Sequence, residues 1–583
     1  MILIQGTGNR HRKNAGLLRR QKMGAGLLLA GLMLFPGTGR LCAEAPAYRI
    51  LEEIPVQDSG RVKPFQAFAQ EAVAQVTGGR NFQGRPAVLT VWLWISDPDG
   101  WISQPIIPVD FRPLRKSFNL MIKDGKLSPE IILNHEPFIK TVQEAGQKQR
   151  MKAKLTPLED ESLKLYERAA IFRALAQGSH PGWIPDPEDP RKSWLSLEMM
   201  ASPEGAQVLK LQYPEKTVAD FQSALTALAN ELHTQKAVTP KNAAAFAQAV
   251  RALPAAKGIV LDEGLIRKEL IYNRLHPFGW AWKIMALSIL FALVRYWNLR
   301  KKSGSKLMEK TAGTAALASF AAAFLIQSGG FYLRCQIAGR PPVTNMYESV
   351  VWVSWAVAFF SLLLFIFYRS AVILFAAACV AALGLMVADS FPVVLNAAIS
   401  PLVPVLRSNY WLTIHVLTIT LSYGAFALAW GIGHGVVFSF AFNPGKKDRN
   451  KQFAQYLYRA VQIGVLLLSV GTVLGGVWAH YSWGRFWGWD PKETWALIAL
   501  LGYLAVLHGR LSGWLETFGL AYWAVVSFLL VIMAWYGVNF VLAAGLHSYG
   551  FGGGGAPYVL GAALLDLAVI TWAAQIYRAK INS

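Results

Sequence analysis

Four tryptophans fall within thirteen residues at Trp483-Gly484-Arg485-Phe486-Trp487-Gly488-Trp489-Asp490-Pro491-Lys492-Glu493-Thr494-Trp495. Indole rings are costly to expose to water and charges are costly to bury in lipid, so this run suits neither a membrane span nor an ordinary loop. It suits a membrane surface that holds something flat, apolar and partly anionic, a description that a porphyrin meets. Two histidines flank the run: His415 near the start of the fifth apolar stretch and His547 just past the end of the eighth. Two imidazoles beside an aromatic platform can ligate the iron of a haem. Taken alone, each histidine is more often a hydrogen-bonded packing residue; the coincidence of side, depth and flanking singles out the pair. His508 lies before Gly509-Arg510, near the other end of the seventh stretch, too deep to join them. A second site there needs another imidazole. His434 lies in the same half of the membrane, whereas His276 lies on the wrong side.

These residues are positioned by apolar stretches of about 20 residues, the length a bilayer core requires. They fall near 277–297, 311–330, 348–367, 371–389, 412–440, 459–478, 494–511 and 518–541, with a last run at 558–577, giving eight or nine spans. The fourth is rich in alanine and ends at Asp389, but charge placement requires it to cross. Arg295 to Lys310, Arg369, Lys446 to Lys451, Arg510, and Arg578 with Lys580 each follow an odd-numbered span. The positive-inside rule makes that side cytoplasmic, so 331–347, 390–411, 479–493 and 542–557 face outward as loops. The net charge of +22 is accounted for largely by this placement and does not call for nucleic acid.

Before the spans, a basic region from Arg10 to Lys22 precedes a short apolar run, Gly24 to Phe35, and then small residues. Residues 1–45 therefore read as a cleavable signal or as an uncleaved anchor, and 46–272 as an exported soluble domain of mixed or mainly α structure. Within it, 218–232 and 241–253 are amphipathic helix candidates that pack on one another. Residues 136–176 are charge-rich and helical in pattern. Val88 to Ile95 is a strand or a buried helix by length alone. His135, His180 and His233 are scattered among charged residues and read as surface. The three cysteines, Cys42, Cys335 and Cys379, form no CxxC pair and no zinc pattern, which excludes a thiol oxidoreductase and a CxxCH haem carrier.

The run from Trp478-Ala479 through Trp483-Gly484 to Trp487-Gly488-Trp489-Asp490-Pro491-Lys492-Glu493-Thr494-Trp495-Ala496-Leu497 resembles the WWD signature of the haem-handling superfamily. Within it the chain is similar to the CcsA (ResC) family of system II cytochrome c maturation. Further similar segments are Pro342 to Ser349, His508-Gly509-Arg510, and Gly537 to Phe540 running on to Gly545 through Gly550, together covering most of 270–580. The segments Glu52 to Pro64 and Glu269 to Asn273 resemble the exported region preceding the CcsA half of fused CcsBA proteins.

The resemblance implies a polytopic α-helical protein of the inner (cytoplasmic) membrane, residues 273–583, with its WWD segment 478–497 on the external side. It implies His415 and His547 as external axial ligands of haem b, and His508 as the intramembrane ligand that receives haem from the cytoplasm. It also implies a CcsB/ResB-like membrane partner, which supplies the missing imidazole better than His434 does, together with apocytochrome c and a thiol reductant pathway. The haem platform is then Trp478, Trp483, Trp487, Trp489, Asp490 and Trp495. Arg485 and Lys492 can neutralise propionates or anchor to lipid headgroups. Asp490 and Glu493 suit an N-terminal helix cap. His480 has no assigned role. The expected function is subunit of a cytochrome c synthase; a CcmF-like or NrfE-like lyase, and a haem exporter or chaperone without attachment activity, are the alternatives.

Overall fold

Nine helices among the described residues are long and apolar enough to cross a membrane. The computed structural model describes residues 46–582 apart from 110, 121–123, 152, 187, 190–191, 302, 392–393, 403–407, 543–544 and 546–554. The expected signal or anchor segment, Cys42 and His547 lie outside the described residues.

Residues from Ala47 to Leu253 share one hydrophobic core. A hairpin of β1, Pro55–Asp58, and β2, Arg61–Pro64, turns through Ser59 and Gly60, both at positive φ, the two-residue geometry that matches strand twist. It extends into a small sheet of order β2-β1-β3-β4, with β3 Gly182–Ile184 and β4 Leu195–Ser196. Apart from a short antiparallel pairing of Ile107–Pro108 with Lys126–Leu127, helices supply the rest among the described residues. The apolar stretch around Val88 is a helix, Ala87–Ser96, buried on most sides as its lack of polar positions requires. Phe65, Trp92, Trp183 and Phe246 interlock with ring centroids 5.0–5.7 Å apart. Helices Glu215–Gln235 and Pro240–Ala256 pack on one another. The charged stretch 136–176 forms Glu136–Arg150 and Pro157–Ala176, the second opened by a capping box between Thr156 and Glu159. His135 caps the first of them, its Nδ1 accepting from the Phe138 amide.

One pH dependence follows from that second cap. The Lys148 ammonium and the Thr156 amide hold the Glu159 carboxyl down from an ordinary value of 4.5 to about 2. A depressed folded value means the contribution is present above the unfolded pKa and is lost as pH falls through the folded one. Thermal melts of the detergent-solubilised protein should therefore show wild type losing its advantage over Glu159→Gln between about pH 4.5 and 2. A constant difference across that window would refute the assignment.

The spans follow: Pro277–Arg300, Lys306–Ala338, Met346–Tyr368, Ala371–Ser390, Asn409–Phe442, Lys447–Trp483, Pro491–Leu511, Thr517–Leu542 and Ala556–Asn582. The alanine-rich fourth is a continuous helix long and apolar enough to cross. Several helices outrun their expected ends. The second continues to Ala338 and the sixth to Trp483, because no glycine in a left-handed conformation interrupts them before Gly339 (φ 65) and Gly484 (φ 70). The connections expected at 331–347 and 479–493 are correspondingly shorter. The fifth span is the hub, packing on the third, fourth, sixth, eighth and ninth. Its Phe426 stacks on Tyr503 of the seventh at 3.9 Å.

Candidate functional site

The tryptophan run is the turn between the sixth and seventh spans, and its own residues explain its shape. Gly484 ends the sixth helix in a left-handed conformation. The Arg485 guanidinium folds back against Gly488, where any Cβ would overlap it, and pairs with Glu493 Oε1 at 3.3 Å. Glu493 Oε2 accepts from the Gly488 amide at 2.8 Å and from the Asp490 amide at 3.2 Å, while Asp490 Oδ1 accepts from the Lys492 amide at 3.0 Å. This is the expected cap, and it starts the seventh span at Pro491. Trp489 is held between Gly488 and this cap at φ 56, which costs a bulky side chain about 1–3 kcal/mol. Its indole is 70% exposed and meets Trp487 edge-on at 5.8 Å.

Trp478 is buried within the last turns of the sixth helix. Trp483 and Trp411 stack against it at 6.5 and 6.4 Å, and the His415 ring lies 5.5 Å away. His415 sits in a π-helical turn, Leu412–Val416, a distortion common at functional sites. Its Nδ1 lies 2.9 Å from the Gly471 carbonyl. A carbonyl oxygen only accepts, so Nδ1 carries a proton; in the neutral ring the lone pair is then on Nε2, an arrangement that can ligate a metal. The ring reaches that carbonyl because Gly475 has no side chain; a Cβ there would stand 2.6 Å from His415 Cε1. The adjacent Gly476 makes the same room for Phe486, at 2.5 Å. Gly471 and Gly475 share a helix face by their spacing of four, a signal visible in the sequence but readable only once the facing element is known.

The eighth span reaches this end through a second π-helical stretch, Met533–Leu542. Lys492 Nζ donates to Asn539 Oδ1 at 2.9 Å. Gly545, at φ 93, packs its backbone on Asp490 and Pro491, two residues before His547 in sequence. Trp495 is half-buried in the first turn of the seventh span. His480 is exposed and meets the Tyr481 ring edge-on at 6.0 Å.

The remaining histidines of the bundle divide by what their Nε2 faces. His434 has Nδ1 3.0 Å from the Trp430 carbonyl and Nε2 3.0 Å from Asp566 of the ninth span. His276 has Nε2 3.2 Å from Asp389. Both are occupied by carboxylates. His508 has Nδ1 2.8 Å from the Leu504 carbonyl and is exposed on the bundle surface, on the stripe that carries Leu501 and Ala505.

The two N-terminal segments that sequence alone leaves without a role meet each other. Arg61 of the hairpin makes a two-pronged ion pair with Glu269 at 2.7 and 2.9 Å. Three residues on, the Tyr272 hydroxyl accepts from Arg334 of the second span at 3.2 Å. Among the described residues no cluster of three or more His, Cys, Asp or Glu is arranged to hold a metal ion.

Residues 343–547 match the family model described as cytochrome C assembly protein. Protein NrfI of Wolinella succinogenes is 29% identical over 518 residues, which are 85% of this chain and 53% of that protein, so the chain spans about half its length. The cytochrome c biogenesis protein CcsA of a Synechococcus strain is 36% identical over 263 residues, 40% of this chain and 85% of the relative. CcsA of a second Synechococcus strain is 34% identical over 303 residues, covering 46% of this chain and 95% of the relative. The chain is a multi-pass membrane protein that belongs to the CcsA family of cytochrome c biogenesis proteins.

Proposed function

We propose that this chain carries haem b across the cytoplasmic membrane and presents it at the tryptophan run for attachment to apocytochrome c, as the CcsA-like subunit of a cytochrome c synthase. The observation that carries this reading is His415, held by the Gly471 carbonyl in the ligating tautomer beside the stacked Trp411, Trp478 and Trp483. With His547 as the second axial ligand, the imidazoles hold ferrous iron and hinder its oxidation. The exposed Trp489 and the half-buried Trp483 and Trp487 of the turn present the porphyrin edge. Attachment then joins a CxxCH cysteine sulfur to one vinyl carbon while the thiol hydrogen goes to the other, so no net oxidation occurs. The incoming CxxCH histidine displaces one axial ligand and releases the product. Arg485 and Lys492 remain candidate propionate contacts; their pairing with Glu493 and Asn539 holds both at the rim.

In this scheme the tryptophan end and the N-terminal domain, 46–272, are external, in keeping with basic residues at the opposite ends of the spans. His508 is the ligand for haem entering from the cytoplasm. An imidazole on an exposed stripe of a membrane helix needs a partner in the bilayer. That supports a CcsB/ResB-like chain covering the stripe and bringing the second imidazole, with His434 already engaged by Asp566. A thiol reductant pathway keeps the client cysteines reduced.

Absorption spectra of the purified chain, with and without a CcsB/ResB-like partner, test this. Haem should copurify, and His508→Ala should lower partner-dependent haem at least about tenfold. Absence of haem from every form would sink the proposal. Haem binding without maturation of a reporter cytochrome would favour an exporter or chaperone.

A further inference from the structure

We propose that Arg334 and Arg340, at the tryptophan end of the second span, are positioning residues for His415, holding the irregular segment 395–402 and the start of the fifth span in register with the platform. This role rests on the function proposed above.

Arg334 is almost fully buried, yet its partners are not confined to one counter-charge. Its Nε and Nη2 donate to Glu348 Oε1 at 2.8 and 2.7 Å. Its Nη1 donates to the Tyr272 hydroxyl at 3.2 Å and to the Ala397 carbonyl at 3.0 Å, and Nη2 reaches the Ala398 carbonyl at 3.4 Å. Glu348 is fixed in turn by Thr344, whose amide and hydroxyl donate to Oε2 at 2.8 and 2.7 Å, and by Asn345, which caps the third span through the Glu348 amide at 2.8 Å. The Asn345 amide group also donates to the Ala398 carbonyl, at 3.4 Å. Arg340 adds a bond to the Ser400 carbonyl at 2.6 Å.

These donors aim at carbonyls of a segment without regular structure, part-buried at Ala397 and Ala398 and exposed at Ser400, whose backbone groups have no ladder partner. The run Pro342 to Ser349 thus builds a clamp. The clamped segment leads to the platform: Leu395 and Ile399 are buried in one cluster with Tyr272, Phe278 and Tyr347, and Leu402 packs against Leu412 and Trp478. A further tie holds the entry of the fifth span, where Asn409 Nδ2 donates to the Gly339 carbonyl at 3.1 Å, next to Arg340. His415 follows six residues later, in its π-helical turn. A buried ion pair contributes little to stability compared with an apolar replacement, so its geometry is the more informative property.

Two readouts separate a positioning role from general packing. In Arg340→Gln, which leaves the buried Arg334–Glu348 pair intact, and in Arg334→Lys, which keeps the charge but not the fork, hydrogen exchange of 395–402 should accelerate. External haem retention, followed in full-length protein by the band lost in His415→Ala, should weaken about tenfold while haem lost in His508→Ala is retained. Arg340→Lys should recover part of the loss. Unchanged exchange in both variants overturns the role, as does faster exchange with external haem at the wild-type level. Wild type without external haem overturns the underlying function and this role with it; haem that ignores the substitutions overturns this role alone.

Discussion

Replacing His415 by alanine is expected to abolish maturation of a reporter cytochrome c and to remove the external haem band, while haem bound through His508 persists. Loss of a second-shell partner costs metal sites about 10–100-fold in affinity, and loss of a ligand should exceed that. The expectation follows from the neighbourhood of the ring. Gly471 fixes its Nδ1, Gly475 leaves it room, and Trp478 lies at 5.5 Å. A packing histidine would behave otherwise: alanine would cost stability and leave the spectrum of any bound haem unchanged. His415→Ala that retains the external band and full maturation would remove His415 from the mechanism. His547→Ala is the companion test of the second ligand.

The second large effect is expected from Gly475→Val, which replaces no ligand. A Cβ at that position stands 2.6 Å from His415 Cε1 and 3.1 Å from Nδ1, so a branched side chain must push the imidazole off the Gly471 carbonyl. Overpacking of this kind costs about 1–3 kcal/mol, and here it falls on one ring. External haem should drop as in His415→Ala. Gly435→Val is the matched control, because a Cβ there meets nothing within 4 Å. Equal spectra in the two valine variants would show that the close approach has no bearing on haem.

Much of the candidate site was legible because its signals are local. Asp490 and Glu493 lie three apart around a proline, the spacing of a capping box, and the structure forms that box. The glycines of the run serve local geometry as well: Gly484 ends a helix and Gly488 admits a guanidinium. Other features were not readable in one dimension. Nothing near His434 in sequence shows that Asp566, on another span, takes its Nε2. Likewise Lys492 turns to Asn539, and Arg61 and Glu269 pair across 208 positions of chain.

The sequence by itself determined eight or nine spans, their alternation of charge and the presence of an aromatic turn at one end, because a membrane demands a length of apolar residues and that demand is met residue by residue along the chain. It fell short at helix ends, where the second and sixth helices stop at a left-handed glycine rather than where hydropathy falls. Only the tertiary structure decided which helix faces meet. That choice puts the Gly471 carbonyl on His415, gives His434 and His276 to carboxylates, leaves His508 on an exposed stripe, and aims Arg334 at the segment beside the platform. Between helices in lipid, apolar surface is no guide, since tails and side chains are alike; close packing of small residues and a few polar contacts select the register. The tautomer of one imidazole follows from that selection.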